Sequence, residues 1–218
     1  WLDRLIDSGR IDGLLLVGQS DQSAVIERTA ARYRPLVVWG AHRPGQQHLT
    51  IGSDNVEGGR LAARHLIARG RTRLLFVGDP APPEFADRLA GFRAGAQEGG
   101  AAVDVVATAM EPGAVHAALH GLLDRGAVPD GLFAASDIVA MTALRTLAEA
   151  GVDVPGDTAV IGYDDVTLAA HTSPPLTTIR QDLAAGARLM VDALLARIVG
   201  DVAEPAILAP ELILRASA

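Results

Sequence analysis

The chain has 218 residues, enough for one large domain or two lobes of roughly 100 residues each, and its 49% hydrophobic content supports a sizeable core. A formal charge of −7 without a basic stripe argues against nucleic-acid binding by these residues themselves. The absence of Cys excludes disulfides, thiolate metal sites and a Cys nucleophile, and no apolar run approaches the ~20 residues that span a bilayer.

Short apolar strands alternate with amphipathic helices along the chain. "IDGLLLVG" (11–18) reads as a strand, "QSAVIERTAARY" as a helix, "PLVVWG" (35–40) and "HLTIGSD" (48–54) as strands. A helix over 55–70 ends at Gly70, a good stop signal, before the strand "RLLFVGDP" (73–80). Then come a helix over 83–100, the strand "VDVVAT", the helix "PGAVHAALHGLLDRG" and the strand "PDGLFAAS". The series closes with the helix "DIVAMTALRTLAEAG", the strand "TAVIGYD", a helix from Asp182 to Gly200 and a final strand "AILAPELILR". Strands that are continuous apolar runs, separated by helices, indicate an α/β fold with parallel sheets covered on both faces.

In such sheets ligands bind beyond the carboxyl ends of the strands. The strand-end residues are Gly18–Gln19–Ser20, Trp39–Gly40, Asp54–Asn55, Gly78–Asp79, Met110–Glu111, Ser136–Asp137 and Asp164–Asp165. The set is polar and acidic. It lacks a glycine-rich phosphate cradle, and with no Lys in the chain no phosphate-loop motif is possible. His116 and His120 are spaced as two metal ligands on a helix would be, but no intervening Glu or third ligand accompanies them, so no metal and no cofactor is expected. Nothing suggests a nucleophile–base set, so the chain does not read as an enzyme.

Four segments, "SDNVEGGRLAARHLIARG", "FADRLAGFRAGAQEGG", "PDGLFAASDIVAMTALRTLAEAGVDVPGDTAVIGYDD" and "SPPLTTIRQDLAAGARLMVDALL", occur in order at fitting spacing. Together they resemble the effector-binding core of the lactose-repressor (LacI/GalR) family of bacterial transcription regulators. The resemblance runs essentially the whole length, and "VIGYDD" followed by "PPLTTIRQ" is its most specific part. It implies two doubly wound parallel-sheet lobes of the periplasmic-binding-protein-like type, joined by three crossings of the chain, with a small-molecule cleft between them. It divides the chain into 1–71 plus 183–207, the lobe nearer DNA, and 72–182 plus 208–218, the far lobe. It further implies a helix-turn-helix module and the first strand and helix of the first lobe upstream of Trp1, neither of which lies in these residues. The implied partners are a sugar-like effector, operator DNA held by that upstream module, and a second copy of the chain, in the cytoplasm and without a membrane. A periplasmic sugar-binding protein of a transport system is the alternative on the same architecture.

The resemblance also nominates residues. Arg88, in "RLAGF", would fork its planar guanidinium onto ligand oxygens, the ordinary alternative being a pair with Asp87 or Glu84. Arg88→Ala is then expected to abolish binding with little change in the melting of the free protein. Asp164 would accept hydrogen bonds from ligand hydroxyls, while Asp165 is better placed to cap the helical segment "VTLAAHT". Ser136 and Asp137 could touch ligand or cap the helix they open. Gln181 lies on a crossing formed by Pro174–Pro175 and "LTTIRQ", where fixed φ limits the hinge. Met110 and Trp39 could pack on the ligand or in a core, and Phe85 and Glu84 could line the pocket, with Glu57 a weaker candidate. Purine-sensing relatives carry a further Arg where this chain has "PAPPE", which favours a sugar or polyol over a purine.

Overall fold

A computed structural model describes residues 2–18 and 23–218. The chain begins with α1 (Leu2–Asp7), β1 (Leu14–Val17), α2 (Ser23–Arg32), β2 (Leu36–Trp39), β3 (Leu49–Ser53) and α3 (Asn55–Ala68). It continues through β4 (Arg73–Gly78), α4 (Pro83–Glu98), β5 (Ala102–Ala107), α5 (Pro112–Leu123), β6 (Gly131–Ala134) and α6 (Asp137–Glu149). The last third comprises β7 (Ala159–Asp164), a 3-10 turn (Thr167–His171), β8 (Thr177–Arg180), α7 (Leu183–Ile198), β9 (Ala206–Leu208) and β10 (Glu211–Ile213). Gln19 and Ser20, two of the strand-end residues, lie outside the described residues.

Two compact units result, each with its own sheet. The first comprises Trp1–Asp54, Ala81–Glu84 and Asp182–Ala209. Its sheet runs β1-β2-β3-β9, and every neighbouring pair is parallel. The apolar run of β2 is continuous because its residues serve two faces in alternation. Leu36 and Val38 pack with Ile26 of α2, while Val37 packs with Leu49, Ile51 and Met190 of α7. Asp182 starts α7 by accepting a hydrogen bond from the Ala185 amide at 2.8 Å.

The second unit comprises Asn55–Pro80, Phe85–Gln181 and Pro210–Ala218. Its six strands run β10-β8-β7-β6-β4-β5. The same alternation recurs in β4: Leu74 and Phe76 face α3 and α4, where they meet Phe92 and Phe133, and Leu75 and Val77 face α5 and α6. Helices thus cover both faces of the sheet, as continuous apolar strands require.

Three features depart from the sequence reading. The final strand is two strands in different sheets: β9 joins the first unit parallel to β3, and β10 pairs antiparallel with β8. Pro210, which has no N–H to give a ladder, stands between them. The segment "LTTIRQ", expected as a crossing, is mostly β8, buried inside the second unit, and the chain leaves that unit only after Gln181. The division expected at residue 71 falls at Asp54 instead, so α3 belongs to the second unit. Glycines explain this. A Cβ at Gly59 would stand 2.0 Å from the Arg88 carbonyl oxygen, and one at Gly91 would stand 1.8 Å from the Val56 carbonyl oxygen. The backbones of α3 and α4 meet directly there, with no room for a side chain on either helix.

Candidate functional site

The candidate site lies at the acidic end of β7. Asp164 and Asp165 have φ values of 114° and 57°, a region L residues rarely adopt. Asp164 accepts a hydrogen bond from Gln181 Nε2 at 2.7 Å. Arg88, on α4, is almost fully buried. Its Nε donates to Asn55 Oδ1 at 2.9 Å, and its Nη1 donates to the Ala135 carbonyl oxygen just beyond β6. Its guanidinium carbon lies 3.6 Å from the centre of the Tyr163 ring and 5.0 Å from that of Phe85, so the cation is desolvated between π faces. Nη2 stands 3.8 Å from Asp164 Oδ1. That is too long for a hydrogen bond, although the charges attract.

The electrostatics of Asp164 reflect competing effects. Burial pushes its carboxyl above the ordinary value, and the Arg88 charge and the Gln181 hydrogen bond pull it partly back. The site therefore offers an acceptor and a fixed cationic donor one bridging atom apart, beside aromatic surface. Arg88, Asp164, Gln181 and Phe85 are brought together in the second unit. Asn55 and Tyr163 complete the cluster; Asn55 stood among the strand-end residues without a ligand role of its own, and Tyr163 was not singled out from sequence. Asn55 looked like an ordinary helix start, and Tyr163 like one more core residue of an apolar strand.

Residues 63–218 match the model of the periplasmic binding protein-like domain. Among curated proteins, the HTH-type transcriptional regulator CelR of Thermobifida fusca is 34% identical over 208 residues, covering 89% of this chain and 59% of that protein. The HTH-type transcriptional repressor PurR of Haemophilus influenzae (strain PittEE) is 32% identical over 196 residues, 87% of this chain and 57% of that protein. The solved CelR–cellobiose complex superposes with a TM-score of 0.89 at 33% identity, covering 100% of this chain and 70% of that one. A LacI transcriptional regulator from a Rhodococcus species gives 0.86 at 32% identity, with 99% and 81% covered. This chain belongs to the LacI family. A further LacI-family structure, from Enterococcus faecium with bound ribose, gives 0.86 at 26% identity, with 99% and 82% covered. The chain spans little more than half the length of the curated regulators it matches.

Within this LacI-family chain the other nominated residues have different surroundings. Asp137 is fully buried, its Oδ1 accepting from Thr178 Oγ1 at 2.6 Å and its Oδ2 from the Val166 amide at 2.8 Å. It straps α6 to β8 and to the loop after β7, so its oxygens are spent inside the unit rather than offered to a ligand. Burial first, with Asp164 and Asp165 adding to it, pushes its carboxyl up to about 6 against the pull of those two hydrogen bonds. Ser136 is the cap of α6, its Oγ accepting from the Val139 amide at 3.3 Å. Asp165 does not cap the 3-10 turn. Val166 stands at that position without a side-chain bond, and Asp165 instead meets Arg180 and Arg215. Met110 packs, half-buried, against the cores on both faces of the sheet. Trp39 and Glu84 belong to the first unit, where Trp39 lies on α7 so closely that a Cβ at Gly186 would stand 2.1 Å from its ring. Glu57 pairs with Arg60 at 3.2 Å. His116, on α5, meets Thr146 of α6 at 3.0 Å, and His120 meets Asp124 four residues on at 2.9 Å.

Proposed function

We propose that this chain is the ligand-sensing core of a DNA-binding transcriptional regulator, and that it binds a sugar or polyol at Arg88 and Asp164 and couples that binding to operator affinity. The observation that carries the effector class is the 3.8 Å separation between Arg88 Nη2 and Asp164 Oδ1. A hydroxyl both accepts and donates. Seated between the two groups, it would accept from the guanidinium and donate to the carboxylate, making two charge-assisted hydrogen bonds. Phe85 offers apolar surface beside it for a sugar's C–H face. Similar regulators add support, since one holds cellobiose and another ribose. In this reading the protein is a cytoplasmic homodimer without catalytic activity, operator DNA being held by a module other than these acidic residues. No described helix is long and apolar enough to cross a membrane.

The reading requires the effector to favour one conformation over another, because a ligand with equal affinity for both shifts nothing. The test is thermal melting against cellobiose, ribose, other mono- and disaccharides, polyols, nucleosides and purines. At about 100 times its dissociation constant a ligand adds about 2.7 kcal/mol, visible as a raised midpoint. A rise confined to one sugar class supports the proposal. A response to purines alone, or a flat panel, overturns the effector class.

A further inference from the structure

We infer that Asp165, gripped by Arg180 and Arg215, is a positioning residue of the effector site, holding the turn that presents Asp164 to Arg88 and Gln181. This rests on the assignment of Arg88 and Asp164 to the effector.

Among the described residues, Asp164 and Asp165 are the non-glycine residues with positive φ, and they are adjacent. Two consecutive left-handed L residues persist only where surrounding structure over-determines them. The determinants can be named. Asp165 Oδ2 accepts from Arg180 Nε at 2.7 Å, and Oδ1 accepts from Arg215 Nη2 at 2.6 Å. The two arginines are themselves anchored. Arg215 donates through Nη1 to the Leu176 carbonyl oxygen at 2.7 Å, and its backbone amide donates to Thr177 Oγ1 at 3.0 Å. Arg180 Nη1 also reaches Glu211 Oε2 at 3.2 Å. The grip therefore ties the end of β7 to β8 and to the segment around β10.

The neighbours of Asp165 are pinned as well, Asp164 through Gln181 and the Val166 amide through Asp137. Asp164 has no hydrogen bond to Arg88 across the 3.8 Å gap, so the pair cannot set its own spacing. The spacing is set from behind. Burial raises the Asp165 carboxyl, yet the hydrogen bonds from Arg215 and Arg180 outweigh it and leave the group below the ordinary carboxylate value. That balance is the mark of an ion pair made in the folded chain. Asp165 itself touches no candidate ligand group. Its effect on binding passes through the backbone of the preceding residue, Asp164.

The experiment compares Asp165→Asn, Arg215→Lys, Arg88→Ala and Leu119→Ala with the parent chain, Leu119 being a core residue of α5. Asn tolerates the left-handed region as Asp does but carries no charge and keeps only one acceptor oxygen for the two arginines, so it loosens the grip without adding backbone strain. Binding of cellobiose and of ribose is measured calorimetrically, and the ligand-free Asp165→Asn variant is crystallised. Asp165→Asn should weaken sugar binding about tenfold or more, Arg215→Lys less because it keeps the charge, and Leu119→Ala should lower the melting midpoint without that loss of affinity. In the crystal, Asp164 should leave its φ near 114° and lose the Gln181 bond. If Arg88→Ala abolishes binding while Asp165→Asn binds as the parent does, the positioning role is overturned and the site stands. If Arg88→Ala binds normally, the site is wrong and the inference falls with it. An Asp165→Asn crystal with Asp164 unmoved overturns the inference whichever sugar binds.

Discussion

Replacing Arg88 by Ala tests whether a residue nominated for ligand contact also holds the unit together. In the folded chain its guanidinium makes two charge-assisted hydrogen bonds, to Asn55 and to the Ala135 carbonyl oxygen, and lies 3.6 Å from the Tyr163 ring centre. Hydrogen bonds to a charged group contribute about 1.5–3 kcal/mol each, and a desolvated cation–π contact about 2 kcal/mol. Against this stands the desolvation of a buried cation, which costs several kcal/mol and vanishes with it. Asp164 would then lose the charge that lowers its carboxyl, so burial would push that group higher still. The net expectation is a loss of about 3 kcal/mol, or a melting midpoint lower by about 6–12 °C in a chain of this length. This departs from the sequence-level expectation of a nearly unchanged melt, because Arg88 is buried rather than lining an open surface. The assay is calorimetric melting of the ligand-free protein, with Arg88→Met as the comparison that keeps the apolar stem and should fall between the two. A ligand-free Arg88→Ala protein melting within about 2 °C of the parent would refute the energetic reasoning.

Two further outcomes follow from the second unit. Gly91→Ala would drive a Cβ into the Val56 carbonyl oxygen at 1.8 Å, so α3 and α4 must separate, lowering stability in urea by about 1–3 kcal/mol or more; an unchanged urea midpoint would show that the helices slide apart freely. Asp137, raised to about 6 from an ordinary 3.8, costs nothing while protonated in both states, so its contribution is fully present below pH 3.8 and is lost as pH rises towards 6. The stability difference between the parent and Asp137→Asn should therefore change by about 3 kcal/mol across that window, to the parent's disadvantage at higher pH; a difference that stays flat with pH would sink the assignment.

Much of the architecture was legible in local pattern. Leu36, Val37 and Val38 read as a buried strand because each residue has a core on its own side, and hydrophobic periodicity reports that directly. The strand-end rule likewise picked out Asp164, since the direction of a parallel sheet decides where ligands can approach. Tertiary structure decided the partners. Arg88 finds Asn55 33 positions away, Asp137 finds Thr178 at 41, and Asp165 finds Arg215 at 50. Asp165 was therefore misread as a cap, the use that neighbouring residues suggest, and the bond from Thr178 to Asp137 left no local sign. The same limit hid the place of α3, whose glycines meet α4 only once both helices lie on the sheet. Burial leaves a periodic trace in the residues that undergo it. The choice of a hydrogen-bond partner leaves none, because it depends on which distant segments the packed sheet brings within 3 Å.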